Sequence, residues 1–345
     1  MSLMLIGSLV GLLVIIIGIV LYPALKVAPY AYSSARIRAA KGKLLTKEEL
    51  HTMTKGSYKD VLLLLEKKGY PEILNLIEED FREDLVHKSL RLQAAKEIRR
   101  LIDYVPKQHR PFFIQLYRKG EISFILSILR SKTSQFSERH KLGSLILPTK
   151  YFKEDDIKLF ASMTLEEFIS KIERTRHREI ISKHRKDILA GDILPLENEL
   201  MEKYFLKLRQ TARSDPVLSR YARQLIDIHN TRMALCFGKS PFVEGGKIDS
   251  SRFAGVTTIE ELKESIKDAP FAKHLQPCET TTDVVKALFR FRNDYGKSLA
   301  RKNGLDISLL LAYSILKMIE LKNIRIILKL INSRFTPKEI QEAII

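Results

Sequence analysis

Near the end of the chain, Ile324, Ile327, Leu328 and Ile331 recur at three- and four-residue spacing, one face of an amphipathic helix. Glu320 and Asn323, also three apart, share a face of the same helix. The pattern recurs with weaker copies upstream, and it is the main clue to the organisation of the chain. The N-terminus is different. Leu3 to Tyr22 (LMLIGSLVGLLVIIIGIVLY) runs 20 residues without a charge. At about 1.5 Å per residue such a helix spans roughly 30 Å, the thickness of a bilayer's hydrocarbon core.

Fourteen residues of that run are Leu, Ile or Val, which together favour membrane entry by roughly 4–8 kcal/mol. A secretory signal peptide would need a basic lead, a shorter apolar run and a small-x-small cleavage site. Only Met1 and Ser2 precede the run, and Lys26, Arg36, Arg38, Lys41 and Lys43 follow it. A retained single-pass anchor is therefore expected, with the bulk of the protein on the cytoplasmic side of the cell membrane. Gly7 and Gly11 form a G-x-x-x-G pair with Gly18 two turns further along, a face that permits close helix approach. Residues Pro23 to Ser33 are expected to form a short extended tether.

Two landmarks repeat three times in the remainder. The first is a helix start: SYKDVLLLL at Ser57, TLEEFISKI at Thr164 and TIEELKESI at Thr258. The last two are capping boxes, with Glu167 and Glu261 three residues on, and Asp60 is a weaker version. The second landmark is an acid within an apolar run: Glu121, Asp227 and Glu320. The separations are 64, 63 and 62 residues. Constant spacing over a period near 100 residues is too long for a common solenoid repeat. It predicts three similar helical lobes, each burying its own core, at 30–140, 141–243 and 244–345, after an anchor and tether at 1–29. Asn230 and Asn323 follow the acid by three residues, with Phe124 there in the first copy, and Arg232 and Arg325 follow in turn. Acid and amide could satisfy loop backbone groups where helices meet, or form a partner-facing patch.

Composition agrees with an all-α fold. There are 15 glycines and 12 prolines, and none of the prolines lies between Cys278 and Thr336. The two cysteines, Cys236 and Cys278, give no disulfide framework and no four-ligand zinc site. Lys and Arg outnumber Asp and Glu by 59 to 41, a net charge of +18, which points to an anionic partner without choosing one. The densest basic stretch, Arg174 to Lys186, has no aromatic residue and reads as a solvated helix face. No nucleic-acid signature accompanies it, so no nucleic-acid partner is expected.

Catalytic chemistry is not written in the chain. The triplets at Gly238-Lys239-Ser240 and Gly296-Lys297-Ser298 lack the glycine a phosphate loop needs, having Met233 and Phe291 in its place. There is no H-E-x-x-H pattern and no G-x-S-x-G elbow. No catalytic residue, cofactor or metal site is expected.

Two stretches carry a family likeness: Tyr30 to Leu50 (YAYSSARIRAAKGKLLTKEEL) and Tyr313 to Ile340 (YSILKMIELKNIRIILKLINSRFTPKEI). In Tyr32, Ala35-Arg36-Ile37-Arg38, Leu44-Leu45, Glu320-x-x-Asn323-Ile324-Arg325 and Pro337-Lys338-Glu339-Ile340, the chain resembles the central-stalk C subunits of A/V-type rotary ATPases, the d subunits of the eukaryotic vacuolar enzymes. The likeness covers roughly residues 30–345. It implies three helical lobes around a pseudo-threefold axis, forming a funnel. It implies a non-catalytic rotor subunit, seated between the central shaft subunits and the membrane rotor ring and carrying torque for proton- or sodium-coupled ATP synthesis or hydrolysis. The apolar N-terminus departs from the family's soluble members. A different class also fits the residues: a membrane-anchored helical adaptor for an anionic partner such as an acidic protein, lipid or nucleic acid.

Overall fold

The computed structural model describes residues 21–22, 25, 27–70, 83–133, 159–160, 162–237, 241–302 and 304–345. Among these the regular structure is helical. In chain order the helices are α1 (27–41), α2 (Lys47–Lys55), α3 (Tyr58–Lys67), α4 (Glu83–Tyr104) and α5 (Arg110–Thr133). Then come α6 (Leu165–Ile172), α7 (Arg178–Lys183), α8 (Arg185–Leu189), α9 (Leu194–Ala212) and α10 (Pro216–Phe237). The last are α11 (Ile259–Ser265), α12 (Ala272–Leu275), α13 (Thr281–Arg301), α14 (Ile307–Asn332) and α15 (Pro337–Ala343).

The three repeated helix starts are formed as capping boxes. Ser57, Thr164 and Thr258 each accept the backbone N–H three residues on, and Asp60, Glu167 and Glu261 reach back to the cap. Each box satisfies two donors that a helix N-terminus leaves open. Thr46, Thr280 and Thr336 do the same with Glu49, Asp283 and Glu339. The acids of the second landmark lie in the interiors of α5, α10 and α14, all three buried.

Three apolar clusters form the interior among the described residues. The largest apolar cluster runs from Ile37 of α1 through α4, α5 and α6–α10 to Leu310 and Ile315 of α14. A second gathers Ile228 and Ala234 of α10, Phe253, and α11–α13. A third packs Met53, Val61, Leu62 and Leu65 of α2 and α3 against Ile324, Ile327 and Leu328 of α14 and Ile340 of α15. Helices α10 and α14 each contribute to two of the clusters, while the buried apolar residues of α5 all lie in the first. The consequence is closure: the first helices after α1 and the last helices of the chain have a common core.

Residues 27–33, part of the expected extended tether at 23–33, are helical and belong to α1. Proline fixes φ near −65°, a helical value, so Pro29 does not forbid it, and tertiary contacts hold the rest. Ile37 is fully buried, Ser33 Oγ donates to the Tyr104 carbonyl, and the Tyr30 hydroxyl lies 2.7 Å from His109 Nε2. Gly296 of the second GKS triplet lies inside α13. A β-carbon there would press on Ile315 and Leu316 at 3.1 and 3.2 Å, so the glycine lets α13 and α14 approach and cradles no phosphate.

Candidate functional site

The three acids meet three kinds of partner. Asp227 Oδ1 accepts the N–H of Lys247 at 3.0 Å and of Ile248 at 3.1 Å, tying α10 to the loop that follows it. Burial pushes its carboxyl pKa up, and the two N–H donors oppose that. The loop can come this close because it has no side chain at the contact: a β-carbon on Gly246 would overlap the Asp227 carboxylate. At Gly245, φ is +90°, and the Arg209 guanidinium fills the space a side chain would need.

Glu320 accepts the Leu45 N–H at 2.6 Å, the Tyr70 hydroxyl, and the Lys317 ammonium at 2.6 Å. Lys317 Nζ also donates to the Tyr70 oxygen at 2.8 Å, and both charged side chains of this pair are nearly inaccessible to solvent. Sequence spacing gives no sign of this knot, because Leu45 and Tyr70 stand some 250 residues or more from Glu320. Glu121 lies opposite His177 and Arg176, at 3.2 and 3.4 Å, and so ties α5 to the short turn before α7.

The amides are used alike. Asn230 donates to the Val243 carbonyl at 2.8 Å and accepts the Val243 N–H at 2.9 Å. Asn323 treats Ile345 in the same way. Arg325 is half-buried and Arg232 exposed on the same helices.

The basic stretch Arg174–Lys186 forms a paired surface. Arg185 meets Glu173 at 3.0 Å, and Lys183 and His184 meet Glu199 at 2.7 and 2.8 Å. A denser gathering of positive charge lies elsewhere, where α5, α10, α13 and α14 meet. There Arg232 and Arg292 act on both Lys119 and Lys322, and Arg325 acts on Lys322 as well. Burial, then the neighbouring arginines, pushes the Lys119 and Lys322 ammonium groups down to about 7. Sequence reading misses this cluster because its members lie on separate helices, each among other charges. Among the described residues no group of His, Cys, Asp and Glu could hold a metal ion.

Leu3, Gly7, Gly11 and Gly18, the expected membrane segment, lie outside the described residues. Tyr22 at its end is helical and exposed. Among the described residues no helix is long and apolar enough to cross a membrane.

Among the described residues the chain is helical, its landmark helices are pinned by buried acids and amides, and α2 and α3 pack on α14 and α15. Residues 33–343 match the family described as ATP synthase (C/AC39) subunit, and the chain belongs to that family. It is 23% identical to the C subunit of the A-type ATP synthase of Thermococcus kodakarensis, over 92% of this chain and 90% of that protein. It is 22% identical to the C subunits of the A-type ATP synthases of Pyrococcus horikoshii (92% and 91% covered) and of Methanocaldococcus jannaschii (92% and 86%).

Proposed function

We propose that this chain is the non-catalytic central-stalk subunit of an A-type ATP synthase, linking the central shaft to the membrane rotor ring and transmitting torque for ion-coupled ATP synthesis or hydrolysis. The observation that carries the reading is the closure of the chain on itself. Leu45 and Tyr70 near one end are bonded to Glu320 near the other, over the shared core of α2, α3, α14 and α15. A torque carrier must not open under load. A helical array with free ends would wind and unwind, whereas one whose ends share a buried core resists shear over its whole circumference. Three lobes at 30–140, 141–243 and 244–345, arranged as a funnel, belong to this proposal, and so does an N-terminal anchor at Leu3–Tyr22.

The test is purification from mild-detergent membranes through a tag on this chain, with identification of its companions and an assay of ion-coupled ATP hydrolysis. Shaft and ring subunits should co-purify at salt concentrations that strip exposed ion pairs. Complexes depleted of the chain should hydrolyse ATP without moving ions. Full coupling in its absence would overturn the assignment.

A further inference from the structure

The positive cluster between α5, α10, α13 and α14 is built in an unusual way. Lys322 Nζ sits 2.9 Å from the centre of the Phe289 ring, and Arg292 Cζ lies 5.8 Å from the same centre. Arg292 Nη2 donates to the Tyr221 hydroxyl at 3.2 Å, while its Nε is buried without a hydrogen-bond partner. Lys119 Nζ lies 5.5 Å from the centre of the Phe205 ring, which also packs on His229 at 5.0 Å. Arg232 stands one turn beyond His229 and acts on both lysines. Among the described residues these ammonium groups lie over rings and make no ion pair with a carboxylate. Glu197, the acid that favours the Lys119 charge, is itself paired with Arg130.

Gathering like charges in a half-buried place opposes folding. The two lysines pushed down to about 7 report that cost. An anion that binds the folded chain removes the cost and returns stability through its binding energy.

We propose that Lys119, Arg232, Arg292 and Lys322 form a binding site for a compact oligophosphate. Charge density selects this class. A single carboxylate balances one cation, whereas a chain of two or three phosphates places about three or four negative charges within one cluster. Two of the four members are arginines, whose planar forks match phosphate oxygens. An acidic protein segment would be met by cations strung along a surface. Here Arg232 and Arg292 both act on Lys119 and both act on Lys322. A nucleoside triphosphate and an inorganic oligophosphate share the required chemistry. The site uses none of the residues that bond the two ends together, and it stands whether or not the coupling role does.

Thermal melts and calorimetric titrations of the full chain in detergent, at fixed ionic strength, test it. The probes are inorganic tripolyphosphate, ATP, orthophosphate and hexaglutamate. Tripolyphosphate should bind saturably and raise Tm, with orthophosphate at least tenfold weaker. Lys322→Gln and Arg292→Gln should each weaken tripolyphosphate at least tenfold. Without ligand, Lys322→Gln should melt no lower than wild type, because a repelling charge has gone. ATP binding as tightly as tripolyphosphate shows that the phosphates alone are read, and tighter ATP binding names a nucleotide as the source; both support the site. No saturable tripolyphosphate binding, or equal affinity in the variants, overturns it. So does hexaglutamate binding more tightly with the same residue dependence, which would assign the cluster to an acidic protein segment.

Discussion

Asn323 holds the Ile345 backbone from both sides: its Nδ2 donates to the Ile345 carbonyl at 2.8 Å and its Oδ1 accepts the Ile345 N–H at 2.9 Å. The side-chain amide thus acts as one residue of a sheet ladder inside an all-helical protein. Asn230 repeats the arrangement on Val243. Replacing either asparagine by alanine should cost about 1–3 kcal/mol, because a backbone donor and acceptor lose their partner together. Asn230→Ala should cost more, since Val243 is buried while Ile345 is partly solvated. Asn→Asp should be no better than alanine: it keeps the acceptor, loses the donor and adds a charge. Urea unfolding of the four variants measures the order, and equal stability of Asn230→Ala and wild type would refute the role.

That pairing also marks how far the sequence could be read. The acid and the amide three residues later are visible as a recurring pattern, because both lie on one face of a regular helix, and the capping boxes are visible because their partners lie three residues apart. What the amide and acid hold is not visible. Val243, Lys247 and Ile345 lie in irregular chain that no periodicity describes, and Tyr70 and Lys317 join Glu320 only through packing. Glu121 lacks the following asparagine and uses Arg176 and His177 across a helix gap instead, so the first copy departs from the others in structure as in sequence. The division of the cores is hidden for a similar reason. Helices α10 and α14 each serve two apolar clusters, so their apolar pattern does not show where one unit ends.

Gly246 is fixed by Asp227. Gly246→Ala must drive the carboxylate away from the Lys247 and Ile248 N–H groups, stranding a buried acid and two donors. A loss of about 2–3 kcal/mol is expected, at the upper end of ordinary single substitutions. Gly191 at φ +87° has open space around its α-carbon, so Gly191→Ala meets backbone strain alone, about 1–2 kcal/mol. The double variant Asp227→Asn/Gly246→Ala should lose less than the sum of the singles. Additive losses would show that the glycine is needed for some other reason.

The Lys317–Glu320 pair should respond unequally to its two deletions. Glu320→Ala leaves a buried ammonium facing Tyr70 with no counter-charge and frees the Leu45 N–H, a loss of about 3–5 kcal/mol. Lys317→Met keeps the stem packing and leaves Glu320 bonded to Tyr70 and Leu45, so it should cost less than half as much. Hydrogen exchange at α2 and α15 should rise together in Glu320→Ala, because both ends depend on one core. Protection lost at α2 alone would argue against closure of the chain through this residue.

Two windows of pH dependence follow from the positive cluster. His229 is pushed down to about 3 by burial and then by Lys119 and Arg232. Its unfolded value is about 6.5, so between those values the unfolded chain binds the extra proton and stability falls as pH drops. The part between about 6.5 and 4.5 precedes carboxylate titration and should vanish in His229→Gln. On the other side, Lys119 and Lys322 titrate near 7 when folded and near 10.4 when unfolded. The unfolded chain again binds more protons, so stability should rise from pH 7 to 9. Above about 10 the buried tyrosines Tyr117 and Tyr204, pushed up by burial, reverse the trend. Guanidinium melts across pH 5–9 for wild type, His229→Gln and Lys322→Gln read both slopes, and a flat profile for wild type would remove the cluster's energetic cost.

The helical path of residues 27–41 bears on where the apolar N-terminus goes. With Ile37 buried, Ser33 on the Tyr104 carbonyl and Tyr30 against His109, α1 is part of the packed body, and any segment attached to it turns when that body turns. Outside a rotating ring, such a segment would strike the stator once per revolution, so a membrane helix joined to a rotor protein has room only in the ring lumen. With the proposed rotor role and anchor, the chain should resist alkaline carbonate extraction. A chain lacking residues 1–22 should fold and melt as wild type, because the contacts of α1 lie beyond the deletion, yet be washed from the membrane. In a background with Cys236 and Cys278 replaced by serine, Gly11→Cys should crosslink to a lumen-facing position of the ring without stopping ATP-driven ion transport. Crosslinking to a stator protein instead would mean that the segment lies outside the ring and that the chain does not rotate.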